Sequence, residues 1–224
     1  MRARKVRETI GILMISAGLA TLIAVAYQLF WTNVTSHQVA KKNTQSILDH
    51  WASTETDDPD FSQGFALLYI PKLGTDSWET PIAQGVNDVQ LNAGYGHYTE
   101  TAMPGLDGNF SIAGHRATHG QPLAAVDKLA SGDKVYVRTR DKWFVYELDK
   151  DQIVMPEELW VIDPDPKKIS QQVGSTKLIT LTTCNPRYGS TERWIWWGHL
   201  IDEKPAGDVP KEVSGAGKVS FVVP

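Results

Sequence analysis

The sequence predicts a mainly β domain, a closed barrel or sandwich with short helices, behind one N-terminal membrane-spanning helix. Three observations predict it: an uncharged apolar run at residues 10–31, a series of short β-branched and aromatic runs between residues 65 and 201, and only brief helical patterns among those runs.

The chain opens with Arg2, Arg4, Lys5 and Arg7, and Glu8 is the only acid before residue 32. Residues 10–31 then hold no charge, and as a helix they reach ~33 Å at ~1.5 Å per residue, enough for a hydrocarbon core of ~30 Å. The basic flank should stay cytoplasmic, so everything that follows faces outward. Ala24-Val25-Ala26 would suit a signal-peptidase site. The apolar run continues through residues 27–31, however, and is long for a cleaved signal, so a retained anchor is expected. The expected division is a basic flank and signal-anchor helix at 1–31, an extracytoplasmic tether at 32–63, a β domain at 64–203 and a C-terminal extension at 204–224.

The tether is polar and basic at first and acidic after residue 53, with a short helix expected near 46–51; such composition buries little surface. The strand candidates are 65–70, 109–113, 134–138, 143–148, 177–181 and 194–201, bounded by Gly, Pro and Asp, with short helices near 86–92 and 122–130. About 140 residues suffice for one domain with a viable core. The tail after residue 203 reads as a loose extension, with an edge strand at 219–223 left open. Beyond residue 31 acids outnumber bases by seven. That balance speaks against a nucleic-acid partner and against attraction to anionic lipid, leaving the helix alone to hold the membrane.

Cys184 is the only cysteine, so no internal disulfide can form. It closes the run 177–181 just ahead of a Pro-Arg-Tyr-Gly turn signal, where a scaffold hands side chains to a cleft. A buried, inert thiol is the alternative. His115 ends a second apolar run, 109–113, and Arg193 opens a third. A thiolate can attack a carbonyl, an imidazolium can protonate the leaving amine, and a guanidinium can hold the developing oxyanion. Arg187 competes for the last role, being nearer in sequence. A hairpin through 188–192 would set Arg193 beside the cysteine, which favours Arg193.

TLTTCNP (180–186), AGHR (113–116) and an arginine shortly after the cysteine, in that layout, resemble the sortase family. GYGHYTETAMPGLDGNFSIAGHR (94–116) is similar to that family's approach to its histidine. The resemblance covers roughly residues 65–202 and is strongest to the class E sortases of high-GC Gram-positive bacteria. Similarity to pilin-assembling class C enzymes is weaker, since 58–61 (Asp-Pro-Asp-Phe) only approximates their lid motif and reads as linker. The resemblance implies a closed sortase-like β-barrel and a membrane-anchored cysteine transpeptidase with catalytic Cys184, His115 and Arg193. It further implies cleavage of an LPxTG or LAxTG-type signal at the Thr-Gly bond and transfer to a cell-wall amine. The implied partners are secreted proteins bearing that signal, a cell-wall precursor amine and the membrane through one helix. Neither cofactor nor metal is expected. The competing readings are a class C-like pilin polymerase, a hydrolytic cysteine peptidase and a non-catalytic anchored binding module.

Other residues carry weaker expectations. Thr183 and Tyr146 are candidate substrate-binding residues, Tyr146 sharing a strand face with Phe144. His115 and His119 are four apart, but in a loop rather than on a helix, so metal ligation is not expected. His97 and His199 read as structural. Trp194 and Trp196 share one face and Trp197 the other, which makes at least one face core.

Overall fold

A computed structural model of the chain describes residues 2–53, 61, 63–74 and 79–214, with the side chains of residues 2 and 3 outside the description. The first element is one continuous helical rod: α1 (Arg2–Ala26), a π-helical turn (Tyr27–Trp31) and α2 (Thr32–Ala52). Residues 4–52 include a window apolar and long enough to cross a membrane.

Eight strands follow among the described residues: β1 (Ala66–Tyr69), β2 (Thr80–Gln84), β3 (Tyr95–His97), β4 (Gly108–Ala113), β5 (Lys134–Arg138), β6 (Lys142–Val154), β7 (Lys177–Asn185) and β8 (Glu192–Pro205). They close into a barrel in the order β1-β2-β3-β4-β7-β8-β6-β5. Closure satisfies every edge, which an open sheet of such apolar strands would expose to aggregation. Two neighbouring pairs are parallel, β2 with β3 and β4 with β7; the rest are antiparallel. Among the described residues three short α-helices accompany the strands: α3 (Asp88–Leu91), capped by the Asn87 side chain on Val89 N–H, α4 (Ile169–Val173) and α5 (Lys211–Ser214). The helix expected near 122–130 is one 3-10 turn, Val126–Lys128.

Side-chain alternation sorts the strands into an inside and an outside. Leu68, Phe110, Ile112, Val135, Val137, Phe144, Tyr146, Ile179, Leu181 and Trp196 fill the barrel, with Trp194 packed against them. On the outer face Trp197, Ile195 and Leu178 pack beneath Val161 and Ile169. The three tryptophans of β8 thus divide as their alternation requires.

A second outer cluster departs from the expected tether. Ile47, Leu48 and Trp51 of α2 are buried against Leu67, Tyr69, Tyr136, Trp143 and Val145. The segment is polar on average, yet its few apolar residues sit three and four apart at its C-terminal end, enough to bury one helical face. The tail also packs further than a loose extension: β8 runs to Pro205, the Ala206 carbonyl accepts a bond from Trp143 Nε1 at 3.0 Å, and Val213 is fully buried in the α2 cluster. The class C lid comparison at 58–61 falls outside the described residues except for Phe61, and the edge strand weighed at 219–223 lies wholly outside them.

Candidate active site

The parallel pairing of β4 and β7 sets the site. Six register pairs run from Gly108 with Lys177 to Ala113 with Thr182. Parallel strands finish at the same end of a sheet, so the residue two positions past Ala113, His115, comes level with the residue two past Thr182, Cys184. Two bonds hold this end together: Gly114 N–H to Thr182 O at 3.1 Å and Thr183 Oγ1 to Gly114 O at 2.7 Å. β8 then returns antiparallel and pairs Arg193 directly with Cys184. Directly paired residues share a face, so Cys184 and Arg193 sit side by side on β7 and β8, and His115 follows the end of β4 at the same end of the barrel.

This end borders a cleft of about 280 Å³ that includes Cys184, His115, Arg116, Thr118, Arg187, Tyr188 and Ser190 in its lining. Cys184 is a free, half-buried thiol. His115 Nε2 is buried and has no hydrogen-bond partner among the described residues. Burial of the ring holds the His115 imidazole below its usual pKa, the neighbouring His119 lowers it further, and Asp88 acts in the opposite sense. The His115 and His119 rings lie 5.0 Å apart on a loop, and among the described residues they belong to no metal-sized cluster of His, Cys, Asp and Glu. A larger hollow of about 510 Å³ over Ser170, Gln171 and residues 174–177 contains neither cysteine nor histidine.

The arginines occupy different positions. Arg193 faces Cys184 across the ladder, with Nη1 donating to the Ser190 and Glu192 carbonyls at 2.9 Å each. Arg187 lines the cleft and donates from Nη2 to Gln121 Oε1 at 3.1 Å, while its Nε is buried without a partner. Arg116, not singled out in the sequence, is nearly buried and bridges the loop after β4 to the end of β7. Its Nη1 donates to Asn185 Oδ1 at 2.6 Å, and Asn185 Nδ2 donates to Glu192 Oε2 at 2.6 Å. Its guanidinium also lies 4.8 Å from the Trp194 ring. A basic residue adjoining His115 was the available signal, but nothing in the sequence said what it would meet.

Neither expected substrate contact is among the residues that line the cleft. The Thr183 hydroxyl is committed to the Gly114 carbonyl and the residue is 4% exposed, so it fixes the approach of His115 and does not line the cleft. Tyr146 is fully buried inside the barrel, its hydroxyl accepting the Gly105 N–H at 2.8 Å. It pairs with Leu200, far along β8 from Arg193. Alternation correctly joins Tyr146 to Phe144 but does not say which face closes inward. His97 is buried on β3 between Gln84 Oε1 and the Ala102 carbonyl, and His199 binds the Asp149 carboxylate at 2.9 Å.

A sortase-domain family model matches residues 68–201. Sortase SrtE1 of Streptomyces coelicolor is 42% identical over 88% of this chain, which spans 58% of that relative's length. Sortase SrtE2 of the same organism is 34% identical, with 92% of this chain and 87% of the relative covered. Among solved structures, sortase E1 from S. coelicolor with a tripeptide in its active site has a TM-score of 0.60 and 40% identity, covering 67% of this chain and 96% of that one. The SrtA sortase of Actinomyces oris gives 0.63 and 31%, covering 75% and 97%. The match over the barrel and the two long relatives at 42% and 34% identity place this chain in the sortase family, among its class E-like members.

Proposed function

We propose that the protein is a membrane-anchored cysteine transpeptidase, held by its N-terminal helix with the barrel outside the cell. It would cleave a sorting signal of the LPxTG or LAxTG type between Thr and Gly and transfer the acyl group to a cell-wall amine. The observation that carries this reading is the buried, unpartnered Nε2 of His115 in the same cleft as the only thiol. The solved S. coelicolor relative with a tripeptide in its active site supports a peptide as the occupant.

The Cys184 thiolate attacks the Thr carbonyl carbon, and Arg193 steadies the negative charge that moves to oxygen. His115 as imidazolium gives its proton to the departing Gly nitrogen as the C–N bond breaks, leaving a thioester on Sγ. The incoming amine returns a proton to His115, attacks the thioester carbon and releases the thiolate. Arg116 holds the histidine loop to the Asn185 end of β7, which keeps acid and nucleophile in register.

The test is incubation of the full chain with LAxTG and LPxTG peptides and a small primary amine, read by mass spectrometry. An amide of the Thr acyl group with the added amine is expected. The free acid as sole product indicates a hydrolase, and unchanged peptide removes the substrate assignment.

A further inference from the structure

The helical rod that enters the domain forms part of the cleft. Gln28 and Leu29 line it together with His115 and Cys184. Leu29 also begins a stripe of covered positions at 29, 33, 36, 40, 44, 47 and 51, whose three- and four-residue spacing is one face of a helix lying along the barrel. Asn33 Oδ1 accepts the Gly120 N–H at 2.9 Å near the catalytic end, Thr44 Oγ1 donates to Glu79 O at 2.6 Å, and Trp51 is buried in one cluster with Trp143 at the far end. α2 is therefore a docked spacer of 21 residues, about 32 Å long at ~1.5 Å per residue, and not a free tether.

Three exposed aromatics flank the two cleft residues. Tyr27, Phe30 and Trp31 are 56%, 72% and 58% exposed, at the end of the apolar run that begins at residue 10. Aromatic side chains in that position mark the headgroup level of a bilayer. At the same end of the barrel Tyr188, on the cleft rim, and Met155, just past the Val154–Arg193 pair, expose apolar side chains.

We infer that the catalytic end of the barrel rests on the outer surface of the phospholipid bilayer, with Gln28 and Leu29 as the membrane-side wall of the cleft. The opposite end, near Pro205, stands away from the membrane. This rests on the outward-facing anchor and makes the headgroup layer the place where peptide and amine are engaged. The docked helix fixes the pose, and an outer domain of net negative charge gains nothing from anionic lipid, so the placement holds in zwitterionic membranes.

The experiment uses the full chain in phosphatidylcholine nanodiscs with Cys184→Ala, which leaves no native thiol. A fluorophore is placed through Ser190→Cys at the cleft rim or Asp208→Cys at the opposite end, with nitroxide carried on the lipid headgroups. Several-fold stronger quenching at 190 than at 208 is expected; equal quenching, or the reverse, overturns the placement. The wall is read separately from the alkylation rate of Cys184 by iodoacetamide in the otherwise native chain. Leu29→Ala should raise that rate several-fold and Leu29→Trp should lower it; rates unchanged in both remove the wall. Neither readout needs turnover, so failure of the acyl-transfer reading would show in the peptide assay and leave these results intact.

Discussion

Where β6 begins, Trp143 lies fully buried in one cluster with Leu48 and Trp51 of α2, its ring 5.2 Å from Tyr69 and its Nε1 bonded to the Ala206 carbonyl. The Arg138 guanidinium sits 5.2 Å and 5.5 Å from the Trp51 and Trp143 rings. At the other end of the same barrel the strands deliver a half-buried thiol, an imidazole with an unpartnered nitrogen and two cleft-lining arginines whose Nε atoms lack partners. One end spends its side chains on dispersion and burial. The other gathers a thiol, an imidazole and guanidinium groups around a cleft, which is the condition for meeting a substrate. Stability and chemistry should therefore respond to different residues.

The sharpest way to break that division is Cys184→Ala. Alanine offers no nucleophile, so cleavage and amide formation should both vanish, while the melting temperature should stay close to that of the native chain. Turnover persisting in this variant would remove the mechanism, and a collapse of stability would make the thiol a structural residue instead.

Next in size come the arginines. Removing a guanidinium that acts on the oxyanion should cost ~10²–10³ in kcat, about 3–4 kcal/mol, with a smaller change in KM. That loss is expected for Arg193→Ala, and Arg193→Lys should recover it only in part, because lysine lacks the planar fork. Arg187→Ala should lose little. Steady-state kinetics of both alanine variants on one sorting peptide decide the matter, and the reverse ranking would move the oxyanion role to the cleft-lining Arg187.

The opposite end is probed by Trp51→Ala. Emptying a site between α2 and the barrel should destabilise the fold by about 3 kcal/mol, measured by denaturant unfolding. Below the transition, kcat of the folded enzyme should stay within about twofold of native, a change worth less than ~0.5 kcal/mol. A rate loss matching the stability loss would show that the two ends are coupled through α2.

How far the sequence reached follows the same division. That Cys184 and His115 would meet in one cleft was legible because each follows an apolar run, and strand ends are where side chains reach solvent. Arg193 followed from the length of the hairpin, and the antiparallel register now sets it opposite Cys184. The docking of α2 was hidden because Ile47, Leu48 and Trp51 are few and stand in a mostly polar segment. The burial of Tyr146 inside the barrel was not legible, because a period of two names faces without naming the inside. Thr183 and Arg116 escaped because a hydroxyl or a guanidinium shows nothing of its partner until β4 and β7 are laid side by side.

The smallest expected effect concerns protons at the catalytic end. Burial, then the charge of His119, holds His115 below the usual imidazole range. His119→Gln removes the second influence and leaves the first, so the His115 pKa should rise. On the proposed mechanism activity needs thiolate and imidazolium together, which would give a bell-shaped profile whose two apparent values belong to the coupled pair. Whichever limb the imidazole governs should move to higher pH in His119→Gln, with little change in KM. Stability carries the matching sign. His97 and His115 both have lowered native values, so as pH falls through the ordinary imidazole range the unfolded chain takes up protons first. Their contribution is full above that range and is lost on acidification toward the depressed native values. Unfolding measured between neutral and mildly acidic pH should show stability falling with pH, and His119→Gln should lessen the part of the fall that belongs to His115. An unmoved profile together with an unchanged acid sensitivity would show that the two rings do not interact electrostatically, despite their 5.0 Å separation.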